Sequence, residues 1–159
     1  MDFFGESSVM VIAGIILTIA AFILHLIGFS TPYWYKVGTD HLGLWQACGP
    51  RNCAALPSHY LTDQYRGAQA LECLAFIAFL VTVVVIVLKL FVMKDKHILH
   101  IVMALGNFIA GGFAMLGVIV YGNIDGLDSS NFHFSFGFCI IAALAAFAAG
   151  ALIIIGRSK

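Results

Sequence analysis

Four long apolar segments separated by more polar ones dominate the sequence. A helix needs about 20 mostly apolar residues to cross a hydrocarbon core of roughly 30 Å. Four stretches have this length: residues 9–29, 68–91, 98–121 and 136–155. The pattern predicts a single four-span membrane domain over residues 1–159, with two larger loops at residues 30–67 and 122–135.

The first loop contains short runs of strand-forming residues separated by turn residues. Residues 32–37 are rich in aromatic and β-branched side chains and end at a turn over 38–40, while 42–48 and 53–56 flank a Gly-Pro-Arg-Asn turn. The predicted fold class is therefore a membrane all-α four-helix bundle with a small extracellular antiparallel β-sheet.

The second loop ends in an alternating aromatic pattern. Phe132, Phe134, Phe136 and Phe138 are each separated by one smaller or more polar residue. This period of two predicts a strand that runs into the fourth helix. A belt of aromatic side chains at the membrane interface is the alternative.

Composition and charge support the membrane assignment and suggest an orientation. The chain is 62% hydrophobic and 10% charged, whereas soluble domains are roughly 45–50% apolar. Basic residues concentrate on one side of the predicted spans, which places both termini of this multi-pass membrane protein in the cytosol. These residues are Lys89, Lys94, Lys96, Arg157 and Lys159. The net charge of zero argues against a nucleic-acid partner.

Two cysteines lie in the loop that this orientation makes extracellular. Cys48 and Cys53 flank the Gly-Pro-Arg-Asn turn, and disulfides persist in an oxidising compartment. We therefore expect a disulfide-clamped hairpin, with zinc binding by the same pair together with His41 and His59 as the alternative. Two further cysteines inside helices, Cys73 and Cys139, are interpreted as packing residues.

Few polar side chains lie within the predicted spans. His25 and Glu72 each lie about one turn below the outer end of a helix, so we expect them to contact each other. A pH-sensing role of His25 is the alternative. Asn107, near the middle of the third span, is expected to form an interhelical hydrogen bond.

Small residues recur every four positions in the third and fourth spans, which permits close helix packing. We expect these faces to pack inside the bundle, and contacts between molecules are the alternative. They are Gly106, Ala110 and Ala114 in one span and Ala142, Ala146 and Gly150 in the other.

Motifs for enzymatic chemistry are lacking. The sequence has no zinc-protease motif, phosphate-binding glycine loop or nucleophile elbow. We therefore predict a protein that is not an enzyme and that needs no cofactor or catalytic metal.

The residues that follow the first span resemble a known family. Trp34, then Gly43-Leu44-Trp45, then Cys48 and Cys53 resemble the superfamily of peripheral myelin protein, epithelial membrane proteins and claudins. The resemblance implies that Trp34, Gly43, Leu44 and Trp45 stabilise the extracellular sheet. Four residues separate the cysteines and Gln69 stands where claudins generally have an arginine, which weakens the expectation of a paracellular pore.

The resemblance also implies that the protein lies in the plasma membrane and has a role at the cell surface. We expect cell–cell contact, tight-junction-like barrier formation or membrane organisation, through homo-oligomers or related four-span proteins in cis and trans and through membrane lipid. The alternative is an accessory subunit of an ion channel or receptor, as in calcium-channel gamma subunits. Candidates for extracellular contact or charge selectivity are Lys36, Asp40, Arg51, Asp63, Arg66, Asp125 and Asp128.

Overall fold

Four long helices and one small sheet make up the computed structural model, which describes residues 9–158. The helices are α1 (Val9–Ser30), α2 (Asp63–Phe91), α3 (Ile98–Gly122) and α4 (Phe134–Arg157). All four are long and apolar enough to cross a membrane. The predicted fold class, a four-helix bundle with a small antiparallel sheet, is confirmed.

The helices pack through small side chains. Helix α1 packs mainly against α4, α2 against α3, and α3 against α4. Near the middle of the bundle, Ala110 and Ala146 are fully buried in one cluster with Ala21 and Phe79. The small-residue faces are therefore used inside the bundle, where van der Waals packing stabilises helix contacts.

Asn107 provides a polar contact in the same region. The Thr18 hydroxyl of α1 donates to Asn107 Oδ1 of α3 over 3.1 Å, and the Asn107 amide donates to the Met103 carbonyl over 2.9 Å. The amide is fully buried. Asn107 thus makes the predicted interhelical hydrogen bond.

The sheet lies at one end of the bundle, which we call the sheet end. Its strands are β1 (Tyr35–Val37), β2 (Asp40–Leu42), β3 (Gln46–Cys48) and β4 (Cys53–Ala55), in the order β1-β2-β3-β4 with antiparallel pairing throughout. Residues 42–48, predicted as one strand, are divided by a turn in which the Gly43 N–H donates to the Gln46 carbonyl over 2.9 Å.

Helix α2 begins at Asp63, earlier than the apolar stretch that predicts it at residue 68. The Thr62 hydroxyl accepts a hydrogen bond from the Tyr65 N–H over 3.2 Å and caps the helix. Asp63 and Arg66, assigned above to the first loop, therefore lie on the first turns of α2. Hydropathy locates the span, whereas the cap determines where the helix starts.

The predicted strand leading into the fourth helix is wrong. Helix α4 begins at Phe134, and Phe132 forms an isolated bridge with Tyr35. A period of two also contains a period of four, which places side chains on one helical face. Within α4 the rings of Phe134 and Phe138 accordingly lie 5.4 Å apart. Phe132 lies outside the helix, and its ring stacks on that of Phe136 with centroids 4.3 Å apart.

Candidate interaction surface and buried polar cluster

Trp34 fixes the sheet to the helices. Its side chain is completely buried, and its indole N–H donates to the Gly28 carbonyl of α1 over 2.7 Å. The ring meets Tyr121 and Phe136 edge-on, with centroid distances of 4.9 and 5.7 Å. One residue therefore joins the sheet to α1, α3 and α4.

The Gly43-Leu44-Trp45 segment is held by α2. Tyr65 donates its hydroxyl proton to the Gly43 carbonyl, and the Gln69 amide donates to the Leu44 carbonyl over 2.6 Å. A Cβ at Gly43 would lie 2.5 Å from Pro32 Cα, so a larger residue would push the segment away from the backbone that follows α1. Gln69 thus has a structural role, since it donates a hydrogen bond to a backbone carbonyl that lies outside any strand.

Trp45 differs from Trp34 in its exposure. Its indole N–H donates to the Phe29 carbonyl over 3.1 Å and its ring lies edge-on to Phe29, yet 40% of the residue is exposed. One face of the ring stabilises the junction with α1. The other face remains open to lipid or to a partner, as is typical of tryptophan at a membrane interface.

The start of α4 is joined to the sheet by backbone hydrogen bonds. The His133 N–H donates to the Trp34 carbonyl over 3.0 Å, and the Ser135 N–H donates to the Tyr33 carbonyl over 3.1 Å. The second loop adds a bond from the Asp128 N–H to the Tyr35 hydroxyl over 2.9 Å. The two loops therefore form one continuous surface.

A disulfide clamps the outer hairpin. Cys48 of β3 and Cys53 of β4 pair directly in the register and form the predicted disulfide. Their thiols are consumed by this bond, which rules out the zinc alternative with His41 and His59. Strand β4 is one of the two edge strands of the sheet, and all of its residues are exposed.

All seven predicted contact residues are exposed at the sheet end. They are Lys36, Asp40, Arg51, Asp63, Arg66, Asp125 and Asp128, on the sheet, the hairpin turn, the start of α2 and the second loop. Hydrogen bonding from Ser130, whose N–H lies 3.0 Å from the carboxylate, lowers the pKa of Asp128. Three positive and four negative groups thus share one face.

Residues of the sheet and of the segment before α2 line a cleft of about 310 Å³. Its walls include Asp40 of β2 and the His59 and Tyr60 side chains of the segment before α2. Charged and aromatic groups are therefore presented together beside the hairpin. The cleft is open to solvent and lies on the same face as the charged residues.

Two histidines meet where the sheet contacts the start of α4. The rings of His41 and His133 lie 5.5 Å apart between centroids, and Tyr33 contacts both. Partial burial, then the neighbouring His133 and Lys36, lower the pKa of His41 below its usual value of 6.5, against an opposing effect of Asp40.

A second polar cluster lies inside the bundle, below the sheet. The structure brings His25 and Glu72 together, with 2.8 Å between Nε2 and Oε2, and both residues are fully buried. The His25 ring packs against Phe29 and Phe79. Cys139 of α4 joins the pair, since one ligand-type atom from each of the three lies within 4.8 Å of the others.

Sequence reasoning missed the part played by Cys139. The depth argument that pairs His25 with Glu72 also applies to Cys139, which lies about one turn below the sheet end of α4. Tyr65 and His133 were also missed. No local pattern marks them, because their partners are backbone carbonyls and a ring far away in the sequence.

Comparison with known proteins adds one match. The sequence model of the PMP-22/EMP/MP20/Claudin family matches residues 7–156. A search of curated proteins finds no match to the chain. The matched range includes the whole sheet and all four helices except the last residue of α4, Arg157.

Proposed function

The chain belongs to the PMP-22/EMP/MP20/claudin family, and we propose that this multi-pass membrane protein acts without enzymatic activity in cell–cell contact, barrier formation or membrane organisation. In this proposal it lies in the plasma membrane with both termini in the cytosol, and the sheet end faces the outside of the cell. Copies of the chain, or related four-span proteins, associate side by side and across the gap between cells.

The observation that carries the proposal is the firm attachment of a charged surface to the bundle. Trp34, Gly43 and Leu44 are bonded to α1 or α2, and His133 bonds α4 to the sheet. The surface is therefore ordered before it meets a partner, so association loses less conformational entropy. Its exposed charges of both signs suit contact with an equally mixed surface.

The open edge of the sheet supports side-by-side association. Residues 53–55 of β4 are exposed, and an edge strand presents backbone N–H and C=O groups to any chain that lies beside it. The side chains at Ala54 and Ala55 are small, which allows close approach. A neighbouring copy can thus add its own strand to this edge.

Contact enrichment tests the proposal. The tagged protein is expressed in cells that lack junctions, and its density is compared at borders where both cells express it and at borders where one does. We expect enrichment only at two-sided borders, because adhesion in trans needs a copy on each side. Equal density at the two kinds of border would contradict trans self-adhesion.

The accessory-subunit alternative makes a different prediction in the same cells. An accessory subunit would copurify with a channel or receptor in fixed proportion, whereas a self-associating protein copurifies with differently tagged copies of itself. Pull-down with two tags therefore separates the two functions.

A further inference from the structure

Three potential metal ligands from three helices converge in the buried polar cluster. His25 of α1, Glu72 of α2 and Cys139 of α4 each contribute an atom to a group that spans no more than 4.8 Å. All three residues are completely buried. Imidazole nitrogen, carboxylate oxygen and thiolate sulfur are the three donor types that bind Zn²⁺ in proteins.

The hydrogen bonding of this cluster is incomplete. The contact between His25 Nε2 and Glu72 Oε2 uses one polar atom of each side chain. His25 Nδ1 and Glu72 Oε1 are buried and have no hydrogen-bond partner among the described residues. Buried polar atoms are nearly always paired, and a carboxylate inside a membrane bundle is costly. An additional cation would remove this cost.

We propose that His25, Glu72 and Cys139 form a binding site for a divalent transition-metal ion of the zinc type. Neutral imidazole, carboxylate and thiolate together carry a charge of −2, which a divalent cation neutralises. On binding, the Cys139 thiol releases its proton to solvent as the sulfur–metal bond forms. The mixed nitrogen, oxygen and sulfur donors do not suit Ca²⁺ or Mg²⁺, which take oxygen ligands.

Binding of a metal ion requires shifts of about 1 Å in the positions of the ligand atoms. Metal–ligand bonds of about 2.0 to 2.3 Å place tetrahedral donors about 3.3 to 3.8 Å apart. The atoms that now lie up to 4.8 Å apart have to approach each other, and if His25 Nε2 and Glu72 Oε2 are the ligands, their 2.8 Å contact has to widen. The fourth position is then open to a water molecule, as in zinc sites with three protein ligands.

Glycines bring the helices close enough for this convergence. A Cβ at Gly28 would lie 2.7 Å from Cys139 Sγ, and a Cβ at Gly117 would lie 2.9 Å from Glu72 Cδ. The rings of Phe29 and Phe79 cover the His25 imidazole. Such an apolar shell limits the access of solvent and holds the ligands in place.

The test uses cobalt as a spectroscopic probe of the purified full chain in detergent micelles. Co²⁺ bound to a thiolate gives an intense near-ultraviolet charge-transfer band that histidine-only sites do not give. We expect a band corresponding to one ion per chain, and its loss on addition of Zn²⁺ but not of Ca²⁺. Surface histidines would bind cobalt without producing this band.

Variants assign the band to these residues. Cys139→Ser should abolish it, whereas Cys73→Ser, which removes the other free cysteine, should leave it unchanged. His25→Gln and Glu72→Gln should each weaken cobalt binding at least tenfold. No band in the unsubstituted chain, or a band that persists in Cys139→Ser, would overturn the proposal.

A second measurement tests the proposal even if one of the ligand variants fails to fold. Zn²⁺ should raise the thermal midpoint of the unsubstituted chain and of Cys73→Ser, because a ligand that binds only the folded state stabilises it. No shift with Zn²⁺ in either protein would also overturn the proposal. Neither measurement depends on adhesion, so this inference and the proposed function fail separately.

Discussion

Single residues stabilise the sheet end by different means. Trp34 combines complete burial with a hydrogen bond to Gly28, so it contributes both apolar packing and a satisfied polar group. The Cys48–Cys53 disulfide instead reduces the conformational entropy of the unfolded chain, since it closes a short loop. The effects of removing each are therefore expected to differ in size and origin.

Replacing Cys48 with Ser should impair folding and delivery to the cell surface. The loop-closure term for so short a loop is about 2 kcal/mol, which is large for a sheet with little core of its own. Surface biotinylation and protease sensitivity of the loop measure the effect, with Cys73→Ser as the control. Normal delivery with an intact sheet would contradict this structural role.

Replacing Glu72 with Gln should lower the free energy of unfolding by about 1–3 kcal/mol, the usual cost of an unsatisfied buried polar group. The amide keeps one acceptor for His25 but adds N–H donors beside Gly117, where a Glu72 oxygen already lies close to the helix. Denaturation in micelles measures the loss, and Cys73→Ser is again the control. Unchanged stability and delivery would show that the His25–Glu72 contact is not structural.

The folded chain should become less stable as the pH falls, because His41 takes up a proton. Because the pKa of His41 is lowered in the folded chain, the unfolded chain binds the proton more readily, and stability is lost as pH falls below about 6.5. The thermal midpoint should therefore drop between pH 7 and pH 5.5, and His41→Gln should reduce this drop. As a control, His59→Gln, at an exposed position, should leave this drop unchanged.

Close approach of glycine to a neighbouring helix determines how α1 meets α4. A Cβ at Gly14 would lie 2.6 Å from Ile153 Cγ1 and 3.0 Å from the Ala149 carbonyl oxygen. The crossing of the two helices is thus set by the absence of a side chain. Gly112 on α3 has open space around it, so not every glycine in the spans has this role.

Gly14→Ala should destabilise the bundle, whereas Gly112→Ala should not. Overpacking against backbone typically costs about 1–3 kcal/mol, while alanine in an open helical position gains up to about 1 kcal/mol over glycine. Unfolding midpoints of both variants in micelles provide the comparison. Equal midpoints would mean that α1 and α4 can shift apart freely.

The sequence predicts elements of different kinds with different success. Hydropathy finds all four spans because each is a long, continuous signal. It misses the five residues by which α2 extends to Asp63, because a cap such as Thr62 acts outside the apolar stretch. The aromatic alternation before α4 is ambiguous, since side chains four apart also share a helical face.

The buried cluster was predictable only in part. His25 and Glu72 stand out because polar residues are rare in spans, and their similar depth suggests contact. Cys139 does not stand out, since cysteine is among the residues most often buried, and its approach to the pair depends on how α4 packs on α1. No local sequence pattern indicates that residues of different helices meet in the folded chain.

At the scale of the whole molecule, charge is distributed over one outward surface. The exposed charges of the sheet end are mixed, with Lys36, Arg51 and Arg66 among the positive groups. Between two such surfaces, opposite charges can be matched over short distances, whereas a surface of one sign repels its copy.

Reversing two of these charges should therefore disrupt contact in trans. Arg51→Glu combined with Arg66→Glu leaves the contact face strongly negative, and we expect loss of enrichment at two-sided borders with normal surface delivery. Arg51→Lys combined with Arg66→Lys keeps the charge and serves as the control. Unaltered enrichment in the reversed variant would show that these charges do not contribute to adhesion.

The hydrogen bonds between the sheet and the bundle also have a mechanical consequence. A partner that pulls on the sheet does not load a single linker, because bonds at Gly28, Gln69 and His133 divide the tension among α1, α2 and α4. These anchors act in parallel, so the rupture force exceeds that of any one bond. Because the Cys48–Cys53 disulfide keeps β3 and β4 together, a pull on the outer hairpin is passed on to the rest of the sheet and from there to these anchors.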